Sequence, residues 1–173
     1  MKLMAHTETF HLEEWPFQHP RWAEFLVCLE AAAPEQAPFV LGDYSKALPC
    51  HLFVALQVHR VVGFLRFGIQ PIGREEGCPP LVLNAETLTE AKIHAFAVRE
   101  ELRGRGIGKA LQCQAIRRAT ELGCYQLASH SSYEWQANYR VKLSLGFSAQ
   151  PETDGSGDPS VRFLMPLRSA ARD

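Results

Sequence analysis

Arg103-Gly104-Arg105-Gly106-Ile107-Gly108-Lys109 stands behind an apolar run at residues 93–98, across the charged link Arg99-Glu100-Glu101-Leu102, and an amphipathic stretch follows at once. A strand, a short link, a glycine-rich turn and a helix start are thus set in a row. Glycine carries no Cβ to obstruct a ligand. The first N–H groups of a helix lack intrahelical acceptors and lie at the positive end of its dipole. The turn therefore reads as an anion cradle, and its spacing decides which anion. A Walker-type loop requires a glycine five residues before the final Gly-Lys and a hydroxyl residue after it; Arg103 and Ala110 stand there instead. A dinucleotide fingerprint is Gly-x-Gly-x-x-Gly, whereas Gly104, Gly106 and Gly108 run Gly-x-Gly-x-Gly.

The rest of the chain sets bounds on the partner. Its 173 residues suit one domain, residues 1–173, with a continuous core. A net charge of −1 gives no reason to expect nucleic acid or an anionic membrane, so any positive field is local, around Arg99, Arg103, Arg105, Lys109, Arg117 and Arg118. The five cysteines (28, 50, 78, 113 and 124) are odd in number and form no Cys-x-x-Cys pair, which reads as reduced thiols in a cytoplasmic protein. No metal-ligand spacing is present. The N-terminal residues show no signal-peptide core, and no run is long enough to span a bilayer.

Outward from the turn, period-two alternation over residues 92–98 puts Lys92, His94, Phe96 and Val98 on one face and Ile93, Ala95 and Ala97 on the other. Leu111, Ala115, Ala119 and Leu122 recur at helical spacing, with Arg118 at the stripe's edge and Gly123 placed to end the helix. Residues 124–129 are again strand-like, completing a strand–helix–strand unit expected to be parallel. His130-Ser131-Ser132 reads as a loop, residues 133–144 as a helix stopped by Gly146, and a strand begins at Phe147. Upstream, an edge strand is expected near residues 8–13 and a helix carrying Trp22, Leu26, Leu29 and Ala33 up to Pro34. A short helical turn at 42–48 and a hairpin of 52–58 and 61–67 linked at His59-Arg60 follow. Residues 71–90, punctuated by Pro71, Gly73, Gly77, Pro79 and Pro80, read as a long loop with a short strand at 81–83. A polar loop at 150–159, a last strand at 161–165 and a frayed tail at 169–173 close the chain.

Ala95-Phe96-Ala97-Val98 followed by Arg103-Gly104-Arg105-Gly106-Ile107-Gly108-Lys109-Ala110-Leu111 resembles the acyl-CoA-binding motif of the GNAT acetyltransferases. That motif is Gln/Arg-x-x-Gly-x-Gly/Ala, which Arg103, Gly106 and Gly108 satisfy. The step from Val98 to Arg103, the late Leu145-Gly146-Phe147 and the order of elements over residues 20–165 agree with it. The resemblance implies an α/β GNAT fold: a mixed central sheet of about six or seven strands flanked by about four helices, splayed between its fourth and fifth strands. It implies acetyl-CoA as acyl donor, with pantetheine in the splay and pyrophosphate at the turn. Phe96, Ala97, Val98, Arg103, Gly104, Arg105, Gly106, Ile107, Gly108 and Lys109 would hold it, and Asn138 would contact pantetheine. Phe96 to Val98 would act through the backbone, one N–H facing the thioester carbonyl.

Acyl transfer to an amine requires a neutral nucleophile, a stabilised oxyanion and a proton for the thiolate. An acidic position of histone-modifying relatives falls on Lys92, which is no base at neutral pH. His94, on the same expected strand face and with an intrinsic pKa of about 6.5, is the first candidate base. His130 is the second; Glu86 and Glu90 are outside choices. The tyrosine that many relatives carry four residues before the Gly of Gly-Phe is Lys142 here, and Tyr139 lies one turn earlier. Both are candidate acids. The expected activity is N-acetylation of a small-molecule primary amine in the cytoplasm. Protein or peptide N-acetylation and a CoA-binding domain of little activity are the alternatives, and a homodimer is left open by the resemblance.

Overall fold

A computed structural model describes residues 9–43 and 47–167. Strand β1 (His11–Trp15) leads to helix α1 (Trp22–Ala32), a 3-10 turn (Pro34–Gln36) and helix α2 (Ala37–Leu41). Strands β2 (Cys50–Gln57) and β3 (Arg60–Pro71) follow, then the small strands β4 (Val82–Leu83) and β5 (Glu86–Thr87) and the long β6 (Thr89–Val98). Beyond a second 3-10 turn (Glu100–Leu102) come α3 (Ile107–Glu121), β7 (Gln126–Ser132), α4 (Gln136–Ser144), β8 (Ser148–Thr153) and β9 (Pro159–Pro166). Seven strands form one mixed sheet in the order β1-β2-β3-β6-β7-β9-β8, while β4 and β5 pair only with each other. Helix α2, directly after the 3-10 turn, is an element the sequence did not suggest; of the short helical turn expected at 42–48, Asp43 is helical and residues 44–46 lie outside the described part. The expected tail at 169–173 also lies outside it.

Each face of the sheet has its own core. On one side Ile107, Leu111, Ala115 and Ala119 of α3 pack with Ala91, Ile93 and Val98 of β6 and Phe67 of β3. On the other, Phe25, Cys28 and Leu29 of α1 pack with Phe64, Ala95 and Ala97. Ile93 therefore shares a face with Val98, contrary to strict alternation. The cause is a bulge: Arg66 pairs with Ala95 but Phe67 pairs with Ile93, so His94 is an extra residue and the faces exchange across it. The hairpin β2–β3 turns at Val58 and His59, both left-handed (φ 45° and 64°), one residue earlier than expected. Residues 71–90 are less irregular than expected, since β3 runs to Pro71, β6 starts at Thr89, and β4–β5 make a hairpin around Asn84 and Ala85.

The decisive feature is the pairing of β6 with β7. The two run parallel and pair only at Glu90–Gln126, Ala91–Leu127 and Lys92–Ala128. Beyond that point β6 stays with β3 as far as Val98, and β7 stays with β9 as far as Ser132. The fourth and fifth strands of the main sheet thus part in a V that opens towards the glycine turn. Residues 130–132, expected as a loop, are the free arm of β7; polar side chains read as loop, yet the β9 ladder fixes them as strand.

Candidate active site

The turn sits at the open end of the V. Gly104 and Gly106 have φ of 75° and 85°, the left-handed region that other residues enter at a cost. A Cβ on either would meet nothing within 4 Å, so the space above them is open. Gly108 serves differently: a Cβ there would lie 3.2 Å from Phe96 Cζ, and its absence lets α3 approach β6. The first bond of α3 is the Ala110 N–H to the Gly106 carbonyl (3.0 Å), leaving the N–H groups of Ile107, Gly108 and Lys109 without an intrahelical acceptor. Arg103, Arg105 and Lys109 are exposed around them. This is a cradle for an anion, open to solvent and rimmed by cations.

The free edge of β6 is occupied by side chains. The Phe96 N–H donates to Gln36 Oε1 (2.8 Å), and Gln36 Nε2 donates to the Phe96 carbonyl (3.3 Å). Arg103 Nε donates to the Val98 carbonyl (3.1 Å), its guanidinium lying 5.9 Å from the Trp135 ring centroid. Main-chain polar groups at a strand edge need partners, and here two side chains provide them. Gln36 was not singled out from the sequence, because nothing local marks one glutamine in the turn after α1.

Across the gap, α4 lies on the α3 side of β7. Lys142 is 1% exposed, donates to Ser129 Oγ (2.7 Å) and Ser131 Oγ (3.2 Å), and sits 4.8 Å from the Phe163 ring centroid. Burial pushes its pKa down to about 7, and the charge of Lys92 adds to the effect. Asn138 Nδ2 donates to Ser131 Oγ (2.7 Å), while its buried Oδ1 has no partner among the described residues. Tyr139 donates to the Ser132 carbonyl (2.7 Å) at the end of β7, and burial raises the phenol's pKa, so it holds its proton. The three α4 candidates are thus brought together along the free arm of β7.

The other two candidates and Lys92 lie on the opposite side, at the root of the V. His94 projects from the bulge onto Gly68, where an added Cβ would be 2.5 Å from its Cε1. Burial, reinforced by Arg66, pushes His94 down to about 4, so it stays neutral and binds protons weakly. Lys92, 5% exposed, donates to Glu75 Oε2 (2.7 Å) and to His130 Nδ1, and His130 Nε2 donates to Glu152 Oε1 (2.5 Å). Burial and then the charge of Lys92 lower the pKa of His130. Burial alone would raise the Glu75 carboxyl; the Lys92 charge and hydrogen bond outweigh it and leave it below the usual value. Arg162 pairs with Glu76 (2.5 Å), so two neighbouring glutamates pin the segment after β3 to the sheet. Of the outside choices, Glu86 is exposed on β5, and Glu90 is buried with both oxygens held by Gln70 Nε2 (3.0 Å) and Gln126 Nε2 (2.7 Å). Nothing local in the sequence marks Glu75 either, beyond the length of the loop that carries it.

Residues 9–147 match the model of the acetyltransferase (GNAT) family. Among solved structures, the ribosomal-protein-S18-alanine N-acetyltransferase from Escherichia coli is similar at a TM-score of 0.65 and 15% identity, over 95% of this chain and 98% of that one. An IAA acetyltransferase from Bacillus cereus gives a TM-score of 0.62 and 18% identity over 92% and 100%. NAA60 of Arabidopsis thaliana, in complex with a bisubstrate analogue, gives 0.65 and 14% over 90% and 98%. At these identities the likeness is one of fold. No curated protein matches the sequence significantly.

Proposed function

We propose that this chain, which belongs to the GNAT acetyltransferase family, transfers an acetyl group from acetyl-CoA to the primary amine of a small molecule by direct attack on the thioester. One observation carries this reading: the V between β6 and β7 opens onto a glycine turn whose helix N–H groups lack acceptors. The bound donor supplies an acyl group activated as a thioester. The pyrophosphate is taken by the N–H groups of the 104–109 turn, with Arg103, Arg105 and Lys109 as the surrounding cations. Phe96, Ala97 and Val98 offer their strand edge to pantetheine, and the orphaned Oδ1 of Asn138 suits one of its amide N–H groups.

The chemistry follows from the same groups. Once Gln36 has moved aside, the Phe96 N–H stabilises the oxyanion of the tetrahedral adduct. Tyr139, kept protonated and set beside the gap, gives its proton to the leaving thiolate. Lys142 is sealed between Ser129, Ser131 and Phe163 and positions the arm of β7 on which Tyr139 rests. The acceptor approaches from the side of His94 and His130, where ionisable side chains line the root of the V.

The test is calorimetric titration with acetyl-CoA and CoA, followed by thiol release across small primary amines and N-terminal peptides. Micromolar binding and turnover of an amine are expected. Turnover of peptides alone would move the acceptor class to proteins, and binding without turnover would leave a CoA-binding domain. Absence of binding would end the cofactor reading.

A further inference from the structure

An ammonium acceptor must shed one proton beyond the one that ends on sulfur, and neither histidine suits the first step. His94 is buried and a weak base, while both nitrogens of His130 are engaged, Nδ1 by Lys92 and Nε2 by Glu152. Glu90 is held by two amides, and Lys92 is a cation. Glu75 is different. Its Oε2 takes the Lys92 hydrogen bond, its Oε1 makes no hydrogen bond or ion pair among the described residues, and the side chain is 30% exposed. Its loop is anchored to the sheet by the Glu75–Lys92 and Glu76–Arg162 pairs, so the carboxylate is held, not tethered loosely.

From Glu75 a continuous row of hydrogen bonds runs to the edge of the sheet at β8. Lys92 joins Glu75 to His130, and His130 joins Lys92 to Glu152, whose side chain is 29% exposed. We propose that Glu75 is the carboxylate that takes the proton from the acceptor amine, and that Lys92, His130 and Glu152 carry it to solvent. This rests on the acetyltransferase reading above and names the acid–base device of that site.

The step balances. As the N–C bond forms and the C–S bond breaks, RNH3+ loses two protons; one reaches sulfur by way of Tyr139 and one enters the relay. Glu75 accepts that proton and passes it to Lys92 as Lys92 yields one to His130 Nδ1. His130 releases its Nε2 proton to Glu152, which gives it to water, and the ring regains its first tautomer by exchange with water. The lysine remains an ammonium throughout. The charged and titratable groups around this path are Arg74 and Glu76 on the loop, Arg66 on β3, Glu90 and His94 on β6, Lys142 on α4, and Arg162 on β9.

The test uses the full chain with acetyl-CoA and the fastest amine of a panel. Wild-type protein that binds no CoA or releases no thiol would overturn the acetyltransferase reading itself. With an active wild type, Glu75→Gln should lower kcat about 100-fold, the scale of general-base catalysis, with KM for acetyl-CoA unchanged. The loss should shrink as pH rises towards the amine's own pKa, where the nucleophile arrives deprotonated. Glu152→Gln should give a smaller loss with the same pH dependence, and Glu75→Asp, which keeps the charge, serves if the Gln variant does not fold. An equal loss at every pH would mean a structural role, and unchanged kcat in these variants would remove the relay.

Discussion

The two strands that part at Lys92 and Ala128 work with opposite halves of their residues. Beyond the split, β6 contributes main chain: Phe96 and Val98 offer N–H and carbonyl groups that Gln36 and Arg103 cover. The arm of β7 contributes side chains to both faces, Ser129 and Ser131 towards Lys142 and His130 towards Lys92 and Glu152. A main-chain edge accepts any extended chain of matching length and suits a donor whose pantetheine arm is constant. Side chains recognise and titrate, which suits the variable acceptor. In the proposed reaction a generic half and a particular half would thus face each other across one gap.

Four measurements test that contrast, and the largest effect is expected on the β7 side. Lys142 has a pKa of about 7 when folded against its ordinary value near 10.5. Between those values the unfolded chain holds a proton that the folded chain lacks, so stability should rise with pH across the window, by about 1 kcal/mol per pH unit. Urea unfolding as a function of pH checks this, and Lys142→Met should flatten the slope. A slope unchanged by that substitution would mean that Lys142 is not the buried titrating group. On the β6 side, Gly106→Val should weaken CoA about 100-fold in calorimetry. A β-branched residue at φ 85° and a displaced N–H together cost about 3 kcal/mol, at 1.4 kcal/mol per tenfold.

Gly68→Ala tests the bulge, since its methyl would meet the His94 ring at 2.5 Å. A loss of about 1–3 kcal/mol in unfolding free energy is expected for such overpacking; wild-type stability would show that the ring yields freely. The smallest effect should come from Gln36→Ala. Removing a competitor for the Phe96 edge should strengthen CoA binding by a few-fold, the scale of a net hydrogen bond of about 1 kcal/mol. Weaker binding would instead make Gln36 part of the donor site.

Local features were legible because they depend on neighbours in the chain. The glycine turn, the α3 stripe ending at Gly123 and the hairpin of β2 and β3 need only backbone sterics and hydrophobic period. The bulge at His94 was not legible, because it arises from a mismatch with β3 that no run of residues 92–98 displays. His130–Ser132 looked like a loop for the same reason: their strand state depends on β9, some thirty residues later. Lys142 was legible as a departure from the family's tyrosine, though its burial was not. Gln36 and Glu75 were missed altogether, since each matters only through a residue distant in the chain.

Read alone, the sequence determined the family, the anion cradle and the strand edge that faces it, because spacing within about fifteen residues dictates where glycines and helix N–H groups fall. Tertiary structure alone decided how the strands part, which face His94 takes, and which carboxylate stands at the root of the gap. Those outcomes depend on contacts between segments far apart in the chain, where burial and a neighbouring charge, not residue type, set what a side chain can do.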